Sequence, residues 1–332
     1  MQLRRAGAEA AAEVEIAAGG GWARVGAVLE SLMPAVTEAD MRLWSRDLVA
    51  LLGAPPEVRA RLAQAAGSFP AEAGREDAHP PLLPFAPRSF RDFMLYERHA
   101  IDAARGFVRR FMPGAWPIVR GYEALTGAPF PALKPHKLWY RQPIYYMGNH
   151  LAFVADGAAV AVPAYTRALD YELELGFVLA RPLYNATPAE AEAAIGGFVV
   201  VNDFSARDVQ ADEMRSGFGP QKAKHFANAM SAVVVSADAI LPSWRDLTGF
   251  VRINGARIAA PRTAGPRWSL GEALAHASRG EWLYPGELFA TGTLPGGSGI
   301  ETGRLLAAGD TLEIGLDGIG TLRTPIVASD QD

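Results

Sequence analysis

The stretch YELELGFVLA, residues 171–180, decides how this chain is read. Its length and apolar residues suit a buried strand, yet Glu172 and Glu174 stand inside it. In a strand, residues two apart point the same way with Cα atoms about 6.5–7 Å apart, so the two carboxylates share a face. Tyr171, Leu173, Leu175 and Phe177 occupy the other. One reading is a half-exposed strand with a solvated acidic face, since such alternation is common in antiparallel sheets. The other is convergence of both carboxylates on one hard divalent cation, which binds oxygen ligands at about 2.0–2.6 Å. With no neutralising charge, two carboxylates so close in a low dielectric repel, and one takes up a proton.

Around this stretch the texture is that of strands and turns: AFVADGAAVAV, GFVVVNDF, SAVVVSA, GFVRINGARI and DTLEIGLDGIGTLRT. Asn254-Gly255 and Asp317-Gly318 supply residues that accept positive φ, which suits tight hairpin turns. Helices are fewer and well punctuated. TPAEAEAAIGG offers Thr187 as N-cap, Pro188 at the first helical position, Glu190 to complete a capping box and Gly196 as a stop; SLGEALAHASRG repeats the device with Ser269 and Glu272. With many strands and no regular βαβ alternation, the expected class is α+β, mainly β. Residues 1–85 read as an N-terminal region and linker, and 86–332 as the catalytic domain. RVGAVLESLM and PEVRARLAQAA make the first 70 residues a small, partly helical piece, with GGGW marking a turn between short strands. The Pro-rich, charged segment 70–88 reads as a linker or extended wrap.

The composition narrows the function. A hydrophobic fraction of 49% with 20% charged residues describes an ordinary globular protein. A net charge of −4 gives no electrostatic reason to expect nucleic acid or an acidic membrane as partner. No apolar run approaches the roughly 20 residues of a membrane span. Glu9, Glu13 and Glu15 interrupt the apolar segment that a signal peptide needs, and a cytoplasmic location is expected. The chain has no cysteine, which removes disulfides, thiolate metal sites and a cysteine nucleophile. GGSG at 296–299 lacks the frame of a phosphate-binding loop, and no Gly-x-Ser-x-Gly elbow is present.

Two further clusters carry chemistry. GFVVVNDFSARDVQ is a nearly continuous apolar strand that ends in Asn202 and Asp203, followed by Ser205, Arg207, Asp208 and Gln210; such strand ends often mount binding residues. SFRDFMLYERHA places Asp92, Glu97, Arg98 and His99 within eight residues, and the whole chain has only six histidines. Taken together with LDYELE at 169–174, the GPxxxK of Gly219 to Lys224 and TGT at 291–293, in this order and spacing, these segments resemble the fumarylacetoacetate hydrolase family over roughly residues 86–330.

The resemblance implies a mixed β-roll of the fumarylacetoacetase C-terminal type. It implies a divalent metal, Mg²⁺ or Ca²⁺ with Mn²⁺ as a further option, held by Asp92, Glu172, Glu174 and Asp203. Lys224 matches a lysine that offsets the excess negative charge and faces substrate. Arg207 and Gln210 match residues that bind substrate oxygens and help form an oxyanion site. His99 matches the water-activating base, with Glu301 as its acidic partner and Glu97 as a second candidate. Tyr146 and Thr293 match substrate-contacting positions. The implied reaction is hydrolysis of a carbon–carbon bond in a 1,3-dicarbonyl compound, an acylpyruvate or 2,4-dioxo acid, through a metal-stabilised enolate. A decarboxylase, isomerase or hydratase of 2-oxo acids at the same centre is one alternative, and a non-catalytic metal-binding homologue another. Small-molecule substrates and a homodimer are implied as partners. Met94 and Met214 stand where fumarylacetoacetate-cleaving members carry tyrosines, and Asn228 replaces a threonine. These changes remove hydroxyl contacts to a distal carboxylate, so fumarylacetoacetate itself is not the expected substrate.

Overall fold

The Leu173–Leu179 strand is buried at every residue and lies in the middle of a large sheet. This is a computed structural model that describes residues 1–32, 36–70 and 79–329. On one side the strand pairs antiparallel with Ile195–Asp203, with Glu174 opposite Val201; on the other it pairs with Leu288–Ala290. Beyond Leu288–Ala290 come Phe90–Phe93, in parallel register, and then Tyr145–Gly148. This sheet has eleven strands among the described residues. A second sheet of five strands contains Gly249–Ile253, Thr311–Leu316 and Gly320–Val327.

Period-two alternation explains the layering. Leu173, Leu175, Phe177 and Leu179 join Leu312, Ile314 and Leu322 in one core, between the two sheets. The opposite face presents Val178, Val199 and Val201 to Leu29, Leu51 and Leu52 of the N-terminal region. Glu174, Asp92 and Asp203 lie on strands of this second face, at the end where the apolar covering gives way.

The N-terminal region is partly helical, as read from the sequence, and contributes strands as well. Helix Val25–Glu30 forms within the first helical stretch read from sequence, whose Met33 lies outside the described residues, and Pro56–Ser68 covers the second and runs two residues past it. Strands Gln2–Ala6, Glu13–Ala18 and Gly21–Arg24 are also present, and they extend the large sheet by pairing with Val233–Ser236. Leu3, Val14 and Ile16 supply the alternation that makes this possible. The GGGW turn is present, with Gly19 and Gly20 at φ of 49° and 89°. Residues 71–78 of the expected linker lie outside the described residues, while Phe85 beyond them is buried in the N-terminal core.

Both capping boxes form, at Thr187/Glu190 and Ser269/Glu272. The first helix ends at Ala193, before Gly196, because Ile195 already opens the next strand. Asn254 and Gly255 take φ of 53° and 80° in a two-residue hairpin turn. At the other hairpin Asp317 keeps negative φ while Gly318 takes φ of 79°, and Ile319 joins the loop by donating to the Leu316 carbonyl. No helix among the described residues is long and apolar enough to cross a membrane.

Candidate active site

Three neighbouring parts of the large sheet bring three carboxylates together. Asp92 comes from Phe90–Phe93, Glu174 from Leu173–Leu179 and Asp203 from the last position of Ile195–Asp203. Each offers an oxygen within 4.8 Å of the others, and all three residues are buried. Asp92 Oδ1 and Glu174 Oε2 accept no hydrogen bond from any described residue. Buried acceptors without donors are costly, and a hard cation coordinated by oxygens relieves that cost. The donor set therefore fits a hard divalent metal.

Glu172, the fourth expected ligand, faces the same cavity but is engaged differently. Its Oε1 accepts from an Arg207 terminal nitrogen at 2.7 Å, and its Oε2 receives the Lys224 ammonium, which also reaches Asp203 Oδ2. Tyr146 donates to that same Asp203 oxygen at 2.7 Å, and Thr293 donates to Glu174 Oε1 at 3.3 Å. Gln210, one turn beyond Arg207, accepts from it at 2.9 Å. The cationic groups thus collect on the Glu172–Asp203 side, leaving Asp92 and Glu174 as the charge-deficient pair.

His99 lies on the Glu97–Phe111 helix, where its Nδ1 is 3.0 Å from Glu301 Oε2 and its Nε2 is 3.8 Å from Glu172 Oε1. Glu301 is the partner. Glu97, the other candidate, instead accepts the Tyr140 hydroxyl. Gly106, seven residues after His99, explains the close approach: a Cβ there would stand 2.0 Å from the Ile300 carbonyl oxygen. Gly292 serves similarly on the opposite wall. It has φ of 79°, and a Cβ would lie 2.2 Å from the Phe93 carbonyl oxygen, so only glycine lets the TGT segment pass there with Thr293 facing the cavity.

The charge distribution sets the titration. Burial first, and neighbouring carboxylates second, push Asp92 and Glu174 well above the ordinary carboxyl range. Burial also raises Asp203, against the pull of Lys224. For Glu172 burial acts the same way but is outweighed by Arg207, Lys224 and His99, which hold it below the ordinary range. Burial would lower His99, yet the Glu301 charge and hydrogen bond, with Glu172, raise it overall. Burial drives the Tyr146 phenol upward, reinforced by Asp203 and Asp92, so it remains a donor.

A carboxyl whose folded pKa is raised retains a proton that the unfolded chain releases, so stability falls as pH rises from about 4 through the raised value. Asp92 and Glu174 behave this way, whereas the stability from Glu172 is lost progressively as pH falls below about 4.5. In chelator, the melting temperature is therefore expected to fall across this window, and the increment added by Mg²⁺ to grow with pH. Calorimetry in two buffers of different ionisation heat should register proton release on Mg²⁺ binding. An Mg²⁺ increment independent of pH, with no proton release, would contradict the assignment.

Comparison with known proteins places the chain. Residues 129–327 match the fumarylacetoacetate (FAA) hydrolase C-terminal domain, and the protein belongs to that family. Human mitochondrial oxaloacetate tautomerase FAHD1 is 26% identical over 178 residues, 54% of this chain and 78% of the relative. A 2,4-didehydro-3-deoxy-L-rhamnonate hydrolase from Sphingomonas sp. (strain SKA58) is 27% identical over 187 residues, 56% of this chain and 65% of the relative. In fold, the fumarylacetoacetate hydrolase of psychrophilic Exiguobacterium antarcticum superposes with a TM-score of 0.65 at 20% identity, covering 99% of this chain and 100% of that one. Family members are enzymes that include hydrolases, isomerases and tautomerases. Asp92 and His99 precede the matched segment, and the fold brings them to it.

Two site residues escaped the sequence reading. Asp170 is fully buried and accepts from Arg207 Nε at 2.7 Å, and from the backbone N–H groups of Tyr171, Gly299 and Ile300. Ser298 donates to Glu301 Oε2 at 2.7 Å, while the Gly296 N–H donates to Oε1 at 3.0 Å. The GGSG loop thus orients a carboxylate of the protein. His225 contacts the Met147 carbonyl at 3.1 Å through Nε2 and stacks on Tyr146.

Proposed function

We propose that the protein is a metal-dependent hydrolase that cleaves a carbon–carbon bond in an acylpyruvate or another 2,4-dioxo acid. The observation that carries this reading is the His99–Glu301 pair, whose imidazole faces a cavity also lined by the carboxylates, Arg207 and Lys224. Asp92, Glu174 and Asp203 would hold the divalent ion, with Glu172 the candidate fourth ligand; the ion would polarise a substrate carbonyl and offset enolate charge.

In the proposed reaction His99 Nε2 takes a proton from water, whose oxygen adds to the C4 carbonyl carbon. Glu301, held charged by His99 and by the Gly296 and Ser298 donors, steadies the resulting imidazolium. Arg207 and Lys224 supply donors toward developing oxyanion charge, an effect worth about 2.7–4 kcal/mol for one donor. The C3–C4 bond then breaks with its electron pair retained on C3, and C3 recovers the proton from His99. The products are a carboxylic acid and pyruvate.

His99→Gln tests this directly. Turnover is expected to fall on the order of 10²–10⁴-fold, while Mg²⁺ affinity, measured by calorimetry, is retained. A second reading is keto–enol tautomerisation of a 2-oxo acid, favoured by the similarity to oxaloacetate tautomerases. There the same imidazole would shuttle a proton between carbon and oxygen with no water added. Mass spectrometry separates the two: hydrolysis adds one water and yields two acids, whereas tautomerisation leaves the mass unchanged. Unchanged hydrolysis by His99→Gln would overturn the proposed role of this dyad.

A further inference from the structure

The acidic end of the cavity accounts for the oxo-acid head of a substrate and leaves its other end undefined. The Glu97–Phe111 helix presents Ala100, Ala103, Ala104, Phe107 and Val108 to the cavity, the i, i+3, i+4, i+7, i+8 spacing of a single apolar stripe. Its arginines Arg98, Arg105 and Arg109 line a separate depression on the far side of the helix. Beside the stripe, Leu133, Ile144, Met94 and Met214 also line the cavity. Arg207 and Lys224 are the only arginine and lysine among the described lining residues, and both are bound to carboxylates at the acidic end. The whole cavity measures about 560 Å³, several times the volume of a four-carbon oxo acid.

We infer that the distal half of this cavity is a hydrocarbon subsite, and that the substrate is a 2-oxo or 2,4-dioxo acid carrying an uncharged alkyl or aryl tail rather than a second carboxylate. A tail carboxylate short enough to end against the alanine stripe would lose its hydration and meet no cation. An alkyl or phenyl tail exchanges water for Phe107, Val108, Leu133 and Ile144, gaining about fourfold in affinity for each methylene buried. The inference rests on the proposed function for the head group alone; the preference at the tail stands on the lining of the distal half.

The test uses the full-length, Mg²⁺-loaded protein and two ligand series. Straight-chain 2-oxo monoacids of rising length, which lack the bond to be cleaved, are titrated by calorimetry beside 2-oxo diacids of matched length. Affinity should rise roughly fourfold per methylene until the subsite is filled, and each diacid short enough to end within the subsite should bind at least about tenfold more weakly than its monoacid. The same tails on 2,4-dioxo acids should give the same order in kcat/KM. Met214→Arg, at a position 53% exposed and one turn beyond Gln210, should improve relative diacid binding at least about tenfold. Met94→Arg provides the same charge from another lining position if that variant fails to fold. Diacids binding as well as monoacids, or no dependence on length, would overturn the hydrocarbon subsite even if dioxo acids are hydrolysed. The expected affinity order without any hydrolysis would uphold the subsite and remove the hydrolase reading.

Discussion

Glu174→Gln is expected to lower Mg²⁺-dependent turnover on the order of 10³-fold and to abolish the Mg²⁺-induced rise in melting temperature. The same substitution should make the metal-free protein more stable at pH 8, by about 1 kcal/mol or more. The opposed signs have one cause. Glu174 is fully buried, its Oε2 has no donor among the described residues, and neighbouring Asp92 and Asp203 raise its pKa beyond the effect of burial. A glutamine removes one charge from this cluster and brings an NH₂ group that can donate to the carboxylates. It also removes a ligand that a dication would use. Loss of function with a gain in metal-free stability is the signature of a site kept for chemistry at the expense of the fold. Thermal unfolding with chelator and with Mg²⁺, beside steady-state rates, measures both signs. A chelator-insensitive wild type, together with a destabilised variant, would refute the metal centre.

The paired glutamates were legible because a strand has period two and because buried alternation of acid and hydrocarbon needs a reason. Their convergence with Asp203 was implied by the family resemblance; GFVVVNDF on its own read only as a buried strand with a polar end, and the pairing of the two strands is seen in the fold. The division of labour between them was not legible. Glu172 and Glu174 are chemically identical and two residues apart, yet one is neutralised by Arg207 and Lys224 and the other lies among carboxylates. That difference arises from tertiary contacts to residues 29 or more positions away, which no local pattern encodes. The N-terminal strands were underestimated for a related reason. Short strands such as Gly21–Arg24 carry little periodicity of their own and become strands by joining an existing sheet edge. The GGSG loop was read as a loop, correctly, but its work on Glu301 and Asp170 is done mainly by backbone N–H groups, which a sequence does not display.

Asp170→Asn should be among the most destabilising substitutions in the protein, costing about 3–5 kcal/mol, although it keeps size and shape. Asp170 Oδ1 accepts from the Tyr171 and Gly299 N–H groups at 2.8 and 2.7 Å, and Oδ2 from Ile300 N–H and Arg207 Nε at 2.9 and 2.7 Å. Four donors converge on two oxygens, so either orientation of an asparagine amide turns its NH₂ toward two N–H groups. Arg207 then relies on Glu172 alone for charge. The consequence for chemistry runs through the 298–301 segment, which Asp170 fastens and which carries Glu301. Loosening it weakens the Glu301 contact that raises the His99 pKa. A base of raised pKa is neutral only above that value, so the acidic limb of the rate profile in wild type should lie above the ordinary histidine range of about 6.5. In Asp170→Asn it should move to lower pH while the rate maximum drops. Urea denaturation reports the first effect and the pH dependence of kcat the second. Ser298→Ala, which removes one donor to Glu301 but leaves Arg207 paired, should shift the limb in the same direction with a smaller loss of stability. Destabilisation of Asp170→Asn with an unmoved limb would make Asp170 a brace for Arg207 and the fold alone. A limb that moves in both variants places Asp170 and Ser298 together as positioning residues for the His99–Glu301 pair.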